Sequence, residues 1–425
     1  MVEPLPLEYL AAGVPQYHEV RILDLRVSDS LASTVSAWNP DVVGITGFTL
    51  HTPEMLSLAK EVKGISQDIR VVVGGHHATF MPESFFVPSI DIIARWQCEG
   101  IIGQILDSVH SEHKLSQIPG LVYRSKTGWA RNDVRPPVVF PSLVPAHHLI
   151  KEHADEYHAF QINCSAMQMT RGCAYRCSFC DVQKFFEGKW QHRDIQSITT
   201  ELSSLSAPFV LLADDNIAID TAFIMDFLVC LRESKIKKKY FIQIGANEIL
   251  RNREVLDKWF ELGLKAGQIG LERIDDEGIS RLHKKTNVTI NDAAVDYWHS
   301  RGGIMIGSFI ILPTDEEEDF KRLEDYIRTR EIDIPFLSIL TPLPGTDLWQ
   351  QYYDKLDRTF SKYDFMHTVI PTTIPEAEFY EYFYHLYTTI NVRRLVWKMV
   401  RSMGSGSWLL RLPKMRKALR NMTTE

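Results

Sequence analysis

Three of the chain's six cysteines fall within eight residues, in Thr170-Arg171-Gly172-Cys173-Ala174-Tyr175-Arg176-Cys177-Ser178-Phe179-Cys180. Thiolates are the usual ligands of iron–sulfur clusters. A C-x3-C-x2-C run supplies three of them, so a 4Fe–4S cubane held by Cys173, Cys177 and Cys180 keeps one iron open to a small chelating ligand. A zinc site normally offers four ligands, often as two C-x2-C pairs, and the chain has no second pair. Chance clustering of buried cysteines is disfavoured by Gly172 before the run and the aromatic Phe179 inside it, which suit a tight ligand loop. Cys98, Cys164 and Cys230 are scattered, unlike the dense disulfide framework of a secreted protein.

The elements that must carry this loop read as alternating strands and helices. From about residue 165, strands are expected at Ser165–Thr170, Phe209–Ala213, Phe241–Gly245, Gly267–Leu271, Ile304–Leu312 and Leu337–Thr341, with helical stretches such as 194–205 and 253–262 between them. Six such units predict a partial barrel with its site at the strands' carboxyl ends. Residues 18–110 alternate in the same way, with strands at His18–Leu25, Asp41–Thr46, Ile69–Gly75 and Ile90–Ala94 and a helix over Pro53–Lys63. Short buried apolar strands of this kind predict a doubly wound parallel sheet. Its ligand side lies beyond the strand ends at 46–52 and 74–79, where Thr49, Gly74, Gly75 and His76 allow close approach to the backbone. The expected divisions are 1–125, a linker and hairpin over 126–164, the barrel over 165–350 and a helical region over 351–425.

A length of 425 residues accommodates two domains, and 45% hydrophobic with 24% charged residues is a soluble globular composition. The net charge of -7 gives no reason to expect nucleic acid. Met1-Val2-Glu3-Pro4 has no basic signal-peptide start, and no apolar run of about 18 residues predicts a spanning helix. The expected location is the reducing cytoplasm.

The cysteine segment resembles the radical S-adenosylmethionine (SAM) superfamily, and the resemblance extends through the second domain. It implies that SAM chelates the open iron through its amino and carboxylate groups and is cleaved reductively to a 5′-deoxyadenosyl radical, the class of chemistry that SAM carries. It further implies that Phe179 flanks the adenine and that Asp214-Asp215-Asn216 sits at the SAM amino group. Glu272 would lie near the ribose. Leu312-Pro313 falls in the adenine-contact segment, with Thr314 where glycine is usual, and Pro342-Leu343-Pro344-Gly345-Thr346 follows the sixth strand as in many relatives. Read without the resemblance, Asp214 and Asp215 could equally be helix caps and Glu272 an ion-pair partner. An external electron donor such as flavodoxin or ferredoxin is implied.

A flavodoxin-like domain before such a barrel resembles the cobalamin-binding subgroup. Glu3-Pro4-Leu5-Pro6-Leu7-Glu8, Val72-Val73-Gly74-Gly75-His76, Gly270-Leu271-Glu272 and Pro371-Thr372-Thr373-Ile374-Pro375 resemble the hopanoid C-3 methylase branch. Related branches act on chlorophyll-type tetrapyrroles, so the implied substrate is a large, apolar, polycyclic molecule attacked at an unactivated carbon. Three departures stand out. The subgroup's opening strand precedes the point where this chain starts, no D-x-H-x-x-G offers a histidine to cobalt, and a G-E-G-E-type turn reads Gln97-Cys98-Glu99-Gly100. Two reactions therefore stay open: cobalamin-dependent C-methylation, and cobalamin-independent anaerobic hydroxylation of a bacteriochlorophyllide ring methyl.

The segment 393–410 interleaves Arg393, Arg394, Lys398 and Arg401 with Leu395, Val396, Trp397, Met399 and Val400. Such a pattern suits either a helix lying on an anionic membrane surface or one capping the barrel. His51, His76 and His77 are expected to line the first domain's ligand side, and His192 and Arg193 either the SAM pocket or a helix start. A non-enzymatic cobalamin or redox sensor would need fewer SAM contacts than the chain retains. An RNA-directed methylthiotransferase would bring a second cysteine set and a basic face.

Overall fold

The computed structural model describes residues 1–28, 30–137, 139–159, 162–390 and 392–403. Its chain divides into two compact units, one of Pro4–Ala154 with Pro342–Asp364, the other of Met1–Glu3, Asp155–Thr341 and the chain from Phe365 onward.

The first unit is built on β1 (Val42–Thr46), β2 (Arg70–Gly74), β3 (Ile92–Ala94), β4 (Leu121–Ser125) and β5 (Gly128–Arg131), hydrogen-bonded in that order. The first three are parallel and the β4–β5 hairpin adds to them antiparallel. Val71, Val73 and Ile93 pack with Ala59 and Val62 of the helix Thr52–Ile65, which gives the sheet its apolar face. The strand expected at His18–Leu25 does not form. That stretch instead ends in a turn in which Asp24 takes the Arg26 guanidinium at 2.6 Å. A strand needs a neighbour for its backbone groups, and β1 pairs only with β2 among the described residues, its Gly44 exposed. Residues 342–364 return to this unit. Gly345, at φ +91°, lies flat on the Phe80 ring, and Phe360 packs against His77 with ring centres 4.5 Å apart.

The second unit contains β6 (His158–Ala159), β7 (Ile162–Met167), β8 (Thr170–Arg171), β9 (Gln191–His192), β10 (Phe209–Leu212), β11 (Lys239–Gly245), β12 (Leu264–Glu272), β13 (Ile304–Ile311) and β14 (Ile334–Ile339). Its main sheet runs β14-β13-β12-β11-β10-β7-β6, parallel throughout except for β6. This is the expected six-stranded partial barrel. Residues such as Leu212, Ile244, Leu271 and Ile311 turn outward into the helix layer. On the opposite face Phe209, Phe241, Ala266 and Ile304 meet Leu395 and Met399 of the terminal helix Val392–Met403, which closes the barrel floor.

That floor is pinned by charge. Asp333, fully buried, accepts from the Met305 amide at 2.9 Å and from Lys398 Nζ at 2.7 Å, with Arg394 Nε 3.5 Å away. Arg394 also pairs with Glu331 at 2.8 Å. The basic residues at 394 and 398 are therefore engaged inward by the barrel's own acids, while residues 404–410 of the expected amphipathic segment lie outside the described residues. None of the described helices is long and apolar enough to cross a membrane.

Lys398→Met removes one partner of a buried pair, a change that typically costs ~3–5 kcal/mol because the remaining charge is left uncompensated. We expect a lower denaturation midpoint and faster proteolysis within 392–403, with partial recovery in the Lys398→Met/Asp333→Asn double variant. Equal proteolysis of variant and parent would contradict the role given to this pair.

Candidate active site

The cysteine loop begins where β7 ends, and β10 beside it controls its first residues. Register pairs Leu212 with Met167, so the residues just past β10 stand next to those just past β7. Asp214 Oδ1 accepts from the Met169 amide at 3.1 Å, from the Thr170 amide, and from the Thr170 hydroxyl at 2.6 Å. Asp215 Oδ2 accepts from the Gly172 amide at 2.7 Å. Gly172 has φ +85°, and a Cβ there would collide with the Lys189 carbonyl, so glycine is required. The short β8–β9 pair closes the neck of the loop, matching Thr170 with His192 and Arg171 with Gln191.

Within the loop Cys173, Cys177 and Cys180 are free and half-buried. All three lie on the short stretch between β8 and the helix Val182–Phe185. Burial pushes all three thiols up, Cys173 to about 11. The Ser178 amide donates to the Leu282 carbonyl at 3.0 Å, tying the far side of the loop to the segment after β12. Phe179 is half-buried beside it. A donor set of three thiolates on a loop whose backbone is held from two sides fits a 4Fe–4S cluster with one open iron.

The remaining barrel candidates ring this loop. Glu272 ends β12 with φ +64°, an uncommon conformation for a non-glycine residue. Its carboxylate meets Lys284 Nζ at 2.5 Å, and Lys284 in turn lies in the electrostatic field of Cys177 and Cys180. Arg273, the next residue, forks onto Asp315 at 2.6 and 2.9 Å and donates to the Ile310 carbonyl at 3.1 Å. Asp315 also accepts from the Leu312 amide at 2.8 Å. One guanidinium thus fixes Leu312 and Pro313 relative to Glu272 across the ends of β12 and β13. Asn216 is buried and its carbonyl accepts from Trp190 Nε1 at 3.2 Å.

Sequence reading missed Tyr175, Glu248, Arg273, Lys284 and Asp315. Tyr175 lies inside the cysteine motif and donates to Glu248, but nothing in the sequence pairs those two positions. Arg193, offered as a pocket or helix-start residue, is fully buried and bonded to Glu201, Ser197 and the Gln168 carbonyl. His192 is exposed and stacks on Phe223.

In the first unit the candidates gather at the carboxyl ends of β1 and β2. Gly74 ends β2, and Gly75 follows with φ +103°, where a Cβ would stand 2.6 Å from the Gly47 carbonyl oxygen. Phe48 is 59% exposed, with the rings of His51 and His76 centred 6.1 and 6.0 Å from it. This gives a flat ligand an aromatic contact beside a glycine cradle. Thr49 is buried and bonds His77 Nδ1 at 3.3 Å, while His77 Nε2 meets Ser84 at 3.1 Å. Burial pushes His77 down to about 4, so it stays neutral and occupied within the fold. The arrangement fits a cofactor held by shape and aromatic contact, without a histidine donor from that position.

Residues 1–101 match the B12 binding domain model and residues 167–327 match the radical SAM superfamily model. The hopanoid C-3 methylase of Methylococcus capsulatus is 28% identical over 393 residues, covering 89% of this chain and 74% of that protein. The anaerobic magnesium-protoporphyrin IX monomethyl ester cyclase of Rubrivivax gelatinosus is 25% identical over 389 residues, covering 87% and 68%. The fold is shared with the radical SAM methyltransferase TsrM from Kitasatospora setae, solved with cobalamin and a 4Fe–4S cluster, at a TM-score of 0.68 and 16% identity over 83% of this chain and 75% of that one.

Two expected outcomes follow from this geometry. Replacing Cys173, Cys177 and Cys180 by Ala together should abolish iron loading after reconstitution, as read by iron and sulfide analysis; a cluster surviving in that variant would contradict the ligand assignment. Burial raises the Asp214 carboxyl to about 7. A carboxyl raised in the folded state favours folding below its unfolded value near 3.8, and that contribution is lost as pH rises through about 7. Asp214→Asn mimics the protonated form, so in cluster-free protein its stability relative to the parent should grow from pH 4 to 7, by at most about 4 kcal/mol. A pH-independent difference in denaturation midpoint would rule this out.

Proposed function

We propose that this radical SAM enzyme, whose amino-terminal end is a B12-binding domain, is a cobalamin-dependent C-methyltransferase acting at an unactivated carbon of a large polycyclic substrate. The observation that carries the reading is the union of the two sites in one chain: a three-cysteine cluster loop in a unit matched over 167–327, and a B12-binding match over 1–101. That match favours cobalamin despite the unformed strand at 18–25 and the missing D-x-H-x-x-G. The similarity to a protein named as a hopanoid methylase supports an apolar polycyclic substrate.

When bound, the reduced cluster supplies the electron that breaks a carbon–sulfur bond of SAM, and cobalamin supplies a methyl carrier. The chain's residues provide position and exclusion. Asp214 and Asp215 hold the loop backbone, so the three thiolates do not drift as charge on the cluster changes. The Arg273–Asp315 fork keeps Leu312 and Pro313 at a set distance from Glu272, which suits a rigid nucleoside held between two strand ends. Lys284 places a cation beside Cys177 and Cys180, where it offsets the negative charge of a thiolate-bound cluster.

A second reading, oxidation without methyl transfer, draws support from the likeness to an anaerobic cyclase of a magnesium porphyrin. The same experiment separates the two. After anaerobic reconstitution with iron, sulfide and hydroxocobalamin, bound cobalamin together with S-adenosylhomocysteine and 5′-deoxyadenosine on a hopanoid or tetrapyrrole is the expected result. Protein that takes up iron but excludes cobalamin and forms only 5′-deoxyadenosine would replace methylation with oxidation.

A further inference from the structure

The terminal helix Val392–Met403 has two faces that meet different surroundings. At 3.6 residues per turn, Leu395, Lys398 and Met399 share one face, and Arg393, Trp397 and Val400 share the opposite one. The first face is occupied. Leu395 and Met399 fill the barrel floor, and Lys398 is bound to Asp333 at 2.7 Å. The second face is turned to the outside, with Arg393 exposed, Trp397 58% exposed and Val400 38% exposed. A helix that only capped the barrel would carry polar residues on that side. This one carries a tryptophan and a valine next to a cation.

The chain's charge is divided unevenly. Residues 393–425 hold nine of the 47 Lys and Arg but one of the 54 Asp and Glu. That end is therefore +8 in a chain whose total is -7, which leaves -15 on residues 1–392. Glu331 and Asp333 engage two of the nine cations, Arg394 and Lys398. Residues 404–425, outside the described residues, contribute through composition alone. Trp408-Leu409-Leu410 stands first, and Arg411, Lys414, Arg416, Lys417 and Arg420 then interleave with Leu412, Met415 and Leu419.

We propose that the outer face of the terminal helix, together with the basic segment that follows it in sequence, docks on an anionic lipid surface. Clustered Lys and Arg are attracted to such a surface, and interleaved Trp and Leu gain by entering the headgroup boundary. Tryptophan suits that depth, where its ring is half in an apolar phase and its N–H stays wet. A nucleic acid would satisfy the cations but offer the leucines no apolar phase to enter. The same surface repels the negative charge of residues 1–392, so contact is confined to this end. Because the inner face stays on the barrel floor, docking does not detach the helix. The inference goes beyond the proposed reaction and does not rest on it.

The test is co-sedimentation of full-length, cluster-loaded protein with vesicles of phosphatidylglycerol and phosphatidylcholine in equal parts, beside vesicles of phosphatidylcholine alone, at low and high salt. Binding to the anionic vesicles that weakens in salt, with none to phosphatidylcholine alone, is expected. Arg393→Glu removes a cation and adds an anion. It should weaken binding by roughly tenfold or more, since each charge near the surface is worth about fivefold. Trp397→Ala and the double variant Arg416→Glu/Lys417→Glu should act in the same direction. Both helix positions lie off the barrel floor, so iron content and denaturation midpoint should match the parent. Parent protein that fails to sediment with anionic vesicles would overturn the proposal. So would binding left unchanged by Arg393→Glu and Trp397→Ala at equal iron content. Displacement from the vesicles by polyuridylic acid, with no dependence on Trp397, would assign the basic segment to a nucleic acid instead.

Discussion

The cysteine loop depends on two carboxylates that belong to a different strand. A loop of three half-buried thiols has no regular hydrogen bonding of its own, and its backbone amides at 169, 170 and 172 would be unsatisfied without Asp214 and Asp215. Those acids are brought there by β7–β10 pairing, in which Met167 faces Leu212 and the Ala213 amide reaches the Met167 carbonyl at 2.7 Å. Cluster geometry is thereby tied to parallel sheet register. A one-residue slip of β10 would reverse every side chain and withdraw both acids together.

Much of this was legible beforehand because parallel strands covered on both faces leave a strong trace. The apolar runs at 209–213, 241–245 and 304–312 fall on strands, as do those at 42–46 and 70–74. His18–Leu25 has the same apolar alternation and forms no strand. Alternation reports which face a residue would show in a sheet, whereas a strand exists only where a neighbour takes its amides and carbonyls. That requirement is non-local, and no reading of residues 18–25 by themselves could supply it.

The terminal helix makes a related point about charge. Its interleaved basic and apolar residues are equally compatible with a lipid surface and with a barrel floor, since both accept an apolar stripe edged by cations. What distinguishes them is where the counter-charges lie. Asp333 and Glu331 are sixty or more positions away along the chain, yet they receive Lys398 and Arg394. Leu395 and Met399 meanwhile fill the floor between the first residues of β10, β11 and β13. The pattern of a helix states that it has a partner face, and the partner is a property of the fold.

The site itself shows why residue identity alone divides acids poorly into scaffold and ligand. Asp214, Asp215, Glu248 and Glu272 are all carboxylates beside the same loop, and a motif gives the first two precedence. Counting their lone pairs does not reproduce that order. Asp215 has an oxygen engaged by the loop, and Asp214 concentrates three donors on one oxygen while burial holds its carboxyl toward the neutral form. Glu272 is matched by Lys284. Glu248 keeps one oxygen held by Tyr175 and one without a donor, in a space that exists only because residue 245 is glycine. Asp214 Oδ2 is buried without a donor as well, so hydrogen-bond satisfaction sets Asp214 and Glu248 apart from Glu272 without ranking one of them above the other.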